Sequence, residues 1–270
     1  MSRAQLIPDL DLVARCQAII GGYTATRVQI VADRPGDPRG AGVRRWPGAV
    51  ACRCPMFGEN MFNRGFGFSD ATLDAAGEAI AWYEEWKVPA AFEVAPGPPG
   101  EALMALLAGH GYRQTGFHTA FAGWSDLPDA PGAGVEVRRV ESSEDLAAFS
   151  DVYHAGWDIT GFRVPMAPWL AAPGWRLYLG LCGGEPAGAA ILYLDGGDAY
   201  LADGAVDPRF RGRGVHRALL DRRCADAVEA GAQVVFSGAD YLNGSCRNMI
   251  RKGLGILYTK AIWTRRLPGA

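Results

Sequence analysis

Apolar positions along the first half of the chain switch repeatedly between a helical period and a strand-like one. Over residues 8–20, Leu10, Val13 and Ile20 recur at helical spacing, Pro8 suits a first helical turn, and Gly21-Gly22 offers a stop. Residues 24–32 alternate and are rich in β-branched side chains, which predicts a strand. Residues 33–48 are dense in Gly, Pro and Arg and read as a long loop. Strands follow at 49–54 and 62–68. Ser69 or Asp70 then caps a helix on which Leu73, Ala76, Ile80 and Tyr83 share a face. The run 90–94 is a buried strand. After a Pro/Gly turn comes a helix with Leu103, Leu106 and Leu107, and Gly111-Tyr112 opens a strand through Phe121.

Residues 124–134 have the composition of a linker. Beyond them a strand is predicted at 135–140. Ser142 or Ser143 caps a helix with Glu144 and Asp145 in its first turn and Leu146, Phe149 and Tyr153 as its apolar stripe. Residues 157–169 form an aromatic-rich loop or short helix. Strands at 176–182 and 187–194 flank Gly183-Gly184 as a hairpin, and a third strand runs over 199–206. A helix over 215–230 carries Leu220, Cys224, Ala227 and Val228 on one side. A strand at 233–238, a helix at 245–252 capped by Gly253, and a strand at 257–263 that closes the second sheet complete the pattern. Both halves end as helix, Gly, strand, which suggests two copies of one fold. The expected domains are 1–123 and 135–270, joined by 124–134.

With 270 residues and 49% apolar side chains, the chain can bury two cores of ordinary size. A net charge of −2 argues against a nucleic-acid-binding surface. Six cysteines without a Cys-x-x-Cys pair fit reduced, buried thiols in a cytoplasmic protein, and no metal is expected. Asp9, Asp11 and Arg15 interrupt the apolar residues of the N-terminus, so no signal peptide is expected. No run approaches the roughly 18 apolar residues of a membrane span, so no membrane partner is expected.

Against this background 206–216, Val-Asp-Pro-Arg-Phe-Arg-Gly-Arg-Gly-Val-His, stands out. It joins a predicted strand to a predicted helix through a short turn with two glycines and three arginines. Such a junction aims several backbone N–H groups at one point, at the positive end of a helix dipole, where phosphate binds. No Gly-Lys-Ser/Thr follows, and the three spaced glycines of a dinucleotide fingerprint are missing. Val206, Pro208, Arg211 and Gly214 match Val-x-Pro-x-x-Arg/Gln-x-x-Gly-x-Gly/Ala, and the motif resembles the acetyl-CoA loop of the GNAT superfamily of N-acetyltransferases. His216 departs from it, standing where Gly or Ala is usual.

The resemblance, carried mainly by residues 135–266, implies a mixed α/β (α+β) fold of two tandem domains. Each would be a mostly antiparallel twisted sheet flanked by helices, with a splayed central strand pair in the second and a first copy that has lost the cofactor loop. It implies transfer of an acyl group from acetyl-CoA, a cosubstrate, to a small-molecule or peptide amine, by a monomer or homodimer. The loop residues Arg211, Gly212, Arg213, Gly214, Val215 and His216 would hold the pyrophosphate. Gly204, Ala205 and Val206 would pair with the pantetheine arm, with a bulge at Gly204 and a splay of 202–206 from 233–238. Asn243 would contact the same arm, unless it merely turns the chain before Gly244.

The proton-transfer groups are less defined. Where the family often places a tyrosine, four residues before Gly253, this chain has Met249. Tyr241 and Tyr258 are the alternative general acids. Asp203, on the strand that leads to the loop, is the candidate base, with a structural role as its competitor. Trp157, Asp158, Phe162, Arg163, Met166 and Trp169 either line an acceptor pocket or plug a core. Two other function classes remain open. One is a module that binds CoA without catalysis or senses it; the other is a structural pair of domains with a solvated basic turn.

Overall fold

The helical spacing that begins at Leu10 does not stop at Gly21-Gly22. In the computed structural model, which describes residues 6–36, 40–55, 62–97, 100–127, 134–160 and 164–265, α1 runs unbroken over Leu10–Ala32. The predicted strand at 24–32 is its second half. Gly21 is there for close approach: a Cβ on it would lie 2.7 Å from Val50 Cγ1. The Thr24 and Thr26 hydroxyls donate back to the carbonyls of Ile20 and Gly22, so these β-branched residues fit the helix. The expected loop at 33–48 contains a strand, β1 (Gly42–Trp46), while its residues 37–39 lie outside the described residues.

The chain sorts into two compact units. The first comprises Ile7–Ala120 and residues 257–265. Besides α1 and β1 it contains β2 (Ala49–Arg53), β3 (Arg64–Phe66), α2 (Leu73–Glu85), β4 (Ala90–Val94), α3 (Glu101–Gly109) and the start of β5 (Arg113–Trp124). Its strand order is β1-β2-β3-β4-β11-β5. Phe92 centres the core, with Phe68 and Tyr112 meeting it edge-on, each 5.3 Å between ring centroids.

β11 (Gly255–Arg265) corrects one expectation. Predicted to close the second sheet, it pairs antiparallel with β4, Ala261 opposite Val94 and Arg265 opposite Ala90. Cross-strand charge matching accounts for the choice: Lys260 of β11 donates to Glu93 of β4, both almost wholly buried, and Arg64 of β3 joins them. Burial alone would raise the Glu93 carboxyl, but Lys260 and Arg64 outweigh it and hold it below the usual carboxylate range. The partner of a strand is written in such pairs across the sheet, which linear periodicity does not show.

The second unit, Phe121–Ile256, has the order β6-β7-β8-β9-β10-β5. It contains β6 (Val135–Arg139), α4 (Ser143–Gly156), the short α5 (Ala167–Leu170), β7 (Trp175–Cys182), β8 (Glu185–Asp195) and β9 (Asp198–Val206). It continues with α6 (Val215–Glu229), β10 (Val234–Ala239) and α7 (Gly244–Lys252). Ser142 caps α4 by accepting from the Asp145 N–H, and Gly253 ends α7 at φ +104°. The sheet is mostly antiparallel, and each unit contains a parallel pair, β3–β4 in the first and β9–β10 in the second. Residues 128–133 of the expected linker lie outside the described residues. Among the described residues no helix is long and apolar enough to cross a membrane.

Candidate functional site

β9 carries the local geometry on which the site depends. Against β8, Ala205 lies opposite Ala189 and Ala202 opposite Ile191, so Asp203 and Gly204 together face Ala190. This is a bulge, at the expected place. Its left-handed residue is Asp203, φ +46°, rather than the glycine; aspartate is one of the few side chains that accept this conformation. On its other edge β9 pairs with β10 only over 198–200 against 234–236. The Ser237 hydroxyl still reaches the Leu201 carbonyl at 2.9 Å, but beyond that the ladder ends. Beyond the bulge, Ala205 and Val206 therefore pair with β8 alone, as the splay required.

The bulge rests on a residue that sequence reasoning passed over. Arg223 of α6 is 1% exposed. Its Nη1 donates to the carbonyls of Ile191 (3.0 Å) and Ala202 (2.9 Å), and its Nε to Leu219 (2.9 Å). The signal was available: Arg223 stands four residues from both Leu219 and Ala227, inside the buried stripe of α6. A cation in that stripe implies buried acceptors.

After Val206 the loop is held by Asp207, whose N–H donates to the Ala187 carbonyl. The Asp207 carboxylate accepts from the Arg209 N–H and from its guanidinium, which holds the acid below its ordinary range. Arg209 is thereby committed to the loop itself. Phe210 is buried, while Arg211 and Arg213 are exposed. Arg211 Nη2 lies 3.4 Å from the Gly156 carbonyl. Gly212 and Gly214 take φ of +79° and +81°, a region closed to most side chains. α6 starts directly after Gly214 with no side chain capping it, so its first N–H groups face outward at the positive end of the helix dipole. The start of α6 lies tight against β8, since a Cβ on Gly188 would be 2.4 Å from Val215 Cγ1.

His216, the departure from the motif, has its ring occupied. Nε2 lies 3.1 Å from Ser245 Oγ and Nδ1 3.3 Å from the Asn248 amide nitrogen, both on α7. A Cβ on Gly204 would come within 3.1 Å of Nε2, so the glycine makes room for the imidazole. Burial, and then the Arg223 charge, push the His216 pKa down to about 4. The unfolded chain therefore binds a proton between its ordinary value near 6.5 and about 4, while the folded one does not. Stability from this group is complete above the unfolded value and falls as pH drops through that window. His216→Gln is expected to flatten the loss of melting temperature between pH 7 and 4.5; an unchanged slope would remove His216 as its source.

The remaining candidates separate. The Asp203 carboxylate accepts from Tyr153 Oη of α4 at 2.7 Å. Tyr153, read from the sequence only as core, thus joins the site. Asn243 caps α7, its Oδ1 accepting from the Cys246 N–H at 2.8 Å. Tyr241 sits on the β10–α7 connection, 62% exposed. Tyr258 belongs to the first unit, where its buried hydroxyl accepts from Gln17 of α1, and burial raises its pKa far above the ordinary range. Met249 is core. Met166 and Trp169 are buried, Trp169 between Tyr153 and Trp175, whereas Trp157 is exposed and Asp158 takes φ +53°. Phe162 and Arg163 lie outside the described residues.

Residues 144–256 match the model of the acetyltransferase (GNAT) family. No curated protein matches the chain. A GCN5-related N-acetyltransferase from Kribbella flavida superposes with a TM-score of 0.64 at 17% identity, over 97% of this chain and 98% of that one. One from Sphaerobacter thermophilus gives 0.57 at 18% identity, over 94% and 93%. A tandem GNAT protein from the clavulanic acid biosynthesis pathway gives 0.55 at 14% identity, over 97% of both chains. At such identities these structures speak to the fold, a mixed α/β tandem one, and the similarity to the acetyltransferase (GNAT) family is carried by residues 144–256 of the second unit.

Proposed function

We propose that the second unit transfers an acetyl group from acetyl-CoA to an amine acceptor, a small molecule or a peptide. The observation that carries this reading is the conjunction of an uncapped α6 N-terminus with an unpaired strand edge leading to it. Backbone N–H groups of 212–216 suit a pyrophosphate, and the exposed Arg211 and Arg213 add charge to it. The edge Gly204–Ala205–Val206 offers strand-like hydrogen bonds to an amide-bearing arm, and a backbone N–H near Val206 offers a donor to the thioester oxygen. Asp203 is the base we assign, oriented by Tyr153. The amine nitrogen attacks the thioester carbonyl, its proton passes to Asp203, and the C–S bond breaks to release the thiolate, which takes a proton from solvent. A thiol with a pKa of about 8.5 is a workable leaving group unaided.

We read the first unit as a copy without a cosubstrate site. Its corresponding junction, between β3 and α2, holds Ser69 and Asp70, and the Asp70 carboxylate accepts from the N–H groups of Ala102 and Leu103 in α3. A 3-10 turn over Asp70–Thr72 fills this junction in place of a glycine-rich turn. One site per chain is therefore expected.

Saturating acetyl-CoA should raise the melting temperature by several degrees, since ligand at about a thousand times its Kd contributes ~4 kcal/mol. Gly214→Glu should abolish the shift through its strained φ and its charge. No shift in the wild type at millimolar acetyl-CoA would overturn the reading. The rival, a CoA-binding module without catalysis, predicts the same shift but no thiol release from acetyl-CoA across a panel of amines. The Tyr153–Asp203 pair, which places a carboxylate at the bulge, favours the enzyme.

A further inference from the structure

The hydrogen bonds between α6 and α7 fix the direction in which one hydroxyl donates. Arg251 Nη1 donates to Asn248 Oδ1 at 3.4 Å, which turns the amide nitrogen of Asn248 toward His216. An amide nitrogen only donates, so His216 Nδ1 accepts and the neutral ring carries its proton on Nε2. Nε2–H then donates to Ser245 Oγ at 3.1 Å. The proton of Ser245 cannot point back along that bond. Among the described residues Ser245 Oγ has no other hydrogen-bond partner, although its residue is half-buried. Arg251, Asn248 and His216 thus form a chain of donors that ends in a hydroxyl with one proton left to give.

That hydroxyl belongs to the first turn of α7, just after β10 has parted from β9. The imidazole that supports it abuts Gly204 at the bulge. An arm that starts from a pyrophosphate on 212–216 and runs back along Val206, Ala205 and Gly204 brings its sulfur end to this place. The group best suited to meet a committed donor there is one that gains negative charge as the acyl group leaves.

We infer that Ser245 donates its hydroxyl proton as a hydrogen bond to the sulfur of bound CoA, with His216 and Asn248 as positioning residues. The inference rests on the CoA-binding reading above. No proton need be transferred: the hydroxyl stabilises the thiolate as the C–S bond breaks, and a charge-assisted bond is stronger than a neutral one. Hydrogen-bonded on both nitrogens and pushed toward neutrality by burial, His216 holds Ser245 in one orientation through the physiological range.

The test needs no acceptor amine. Affinities of CoA and desulfo-CoA are measured calorimetrically at pH 9, where the free thiol is largely ionised, for the wild type, Ser245→Ala and Ser245→Thr. The wild type should bind CoA about tenfold more tightly than desulfo-CoA. Ser245→Ala should lose that preference while keeping its affinity for desulfo-CoA, and Ser245→Thr should restore it. An alanine variant that keeps the preference, or a wild type without one, overturns the inference. Equal weakening of both ligands by Ser245→Ala assigns the hydroxyl to structure and also overturns it. A wild type that binds neither ligand defeats the CoA-binding reading itself, a result distinct from all the others.

Discussion

Arg223→Met should lower the melting temperature of the second unit by roughly 5–15 °C, the equivalent of about 2–4 kcal/mol in a domain of this size. Methionine retains most of the reach and apolar stem of arginine but donates nothing. The carbonyls of Ile191 and Ala202, almost fully buried residues that face each other beside the bulge, would each lose a donor. An unsatisfied buried carbonyl costs about 1–3 kcal/mol. Relief of the desolvation of the buried guanidinium offsets part of this and sets the upper bound. Leu219 contributes less, because its carbonyl lies within α6, where helical bonding serves it. Arg223→Lys should fall between, since a single ammonium does not reproduce the fork that spans two carbonyls. Calorimetry decides: a methionine variant melting within about 2 °C of the wild type would mean that the bulge is held by β8 alone. The Cys246 and Met249 core of α7 should be little affected, as neither residue touches these carbonyls through a hydrogen bond.

The loop at Val206–His216 was legible because its chemistry is local. A strand, a proline, two glycines and a helix start are all written in neighbouring residues, and the structure reproduces each. The bulge was legible for the same reason, although the left-handed position fell to Asp203 instead of Gly204. What could not be read were relations between distant segments. α1 was split at Gly21-Gly22 because the reason for Gly21, contact with Val50 and Phe66, lies far along the chain. β11 was given to the second sheet because its match to β4, Lys260 to Glu93, is visible only across strands. Tyr153 is separated from Asp203 by 50 residues, and Ser245 from His216 by 29. In each case the sequence showed the residue type and left its partner unnamed, so Tyr153 read as core and Ser245 as the start of a helix. Tyr258 stands on β11, and the membership of that strand in the first unit is likewise written across strands and not along the chain.

Asp203→Asn is expected to cost turnover about 10²–10⁴-fold, the usual range for removing a general base, while the acetyl-CoA thermal shift stays within error of the wild type. The substitution isolates chemistry from structure unusually well at this position. Asparagine tolerates the left-handed φ of +46° as aspartate does, so the bulge persists. Its side-chain oxygen can still accept from Tyr153 Oη at the present 2.7 Å. Only the capacity to take up a proton is lost. A carboxylate that merely held the bulge would be replaced by asparagine at little cost to turnover, and would show its role instead in Asp203→Ala as a fall in melting temperature. Tyr153→Phe separates the two further. If the tyrosine orients the base, its loss should lower kcat by about tenfold with the KM for acetyl-CoA nearly unchanged, because a misdirected base still ionises but meets the amine in the wrong geometry. If both Asp203→Asn and Tyr153→Phe turned over at the wild-type rate, with thiol release still dependent on the amine, the base would have to be sought elsewhere. The splay would then serve binding alone.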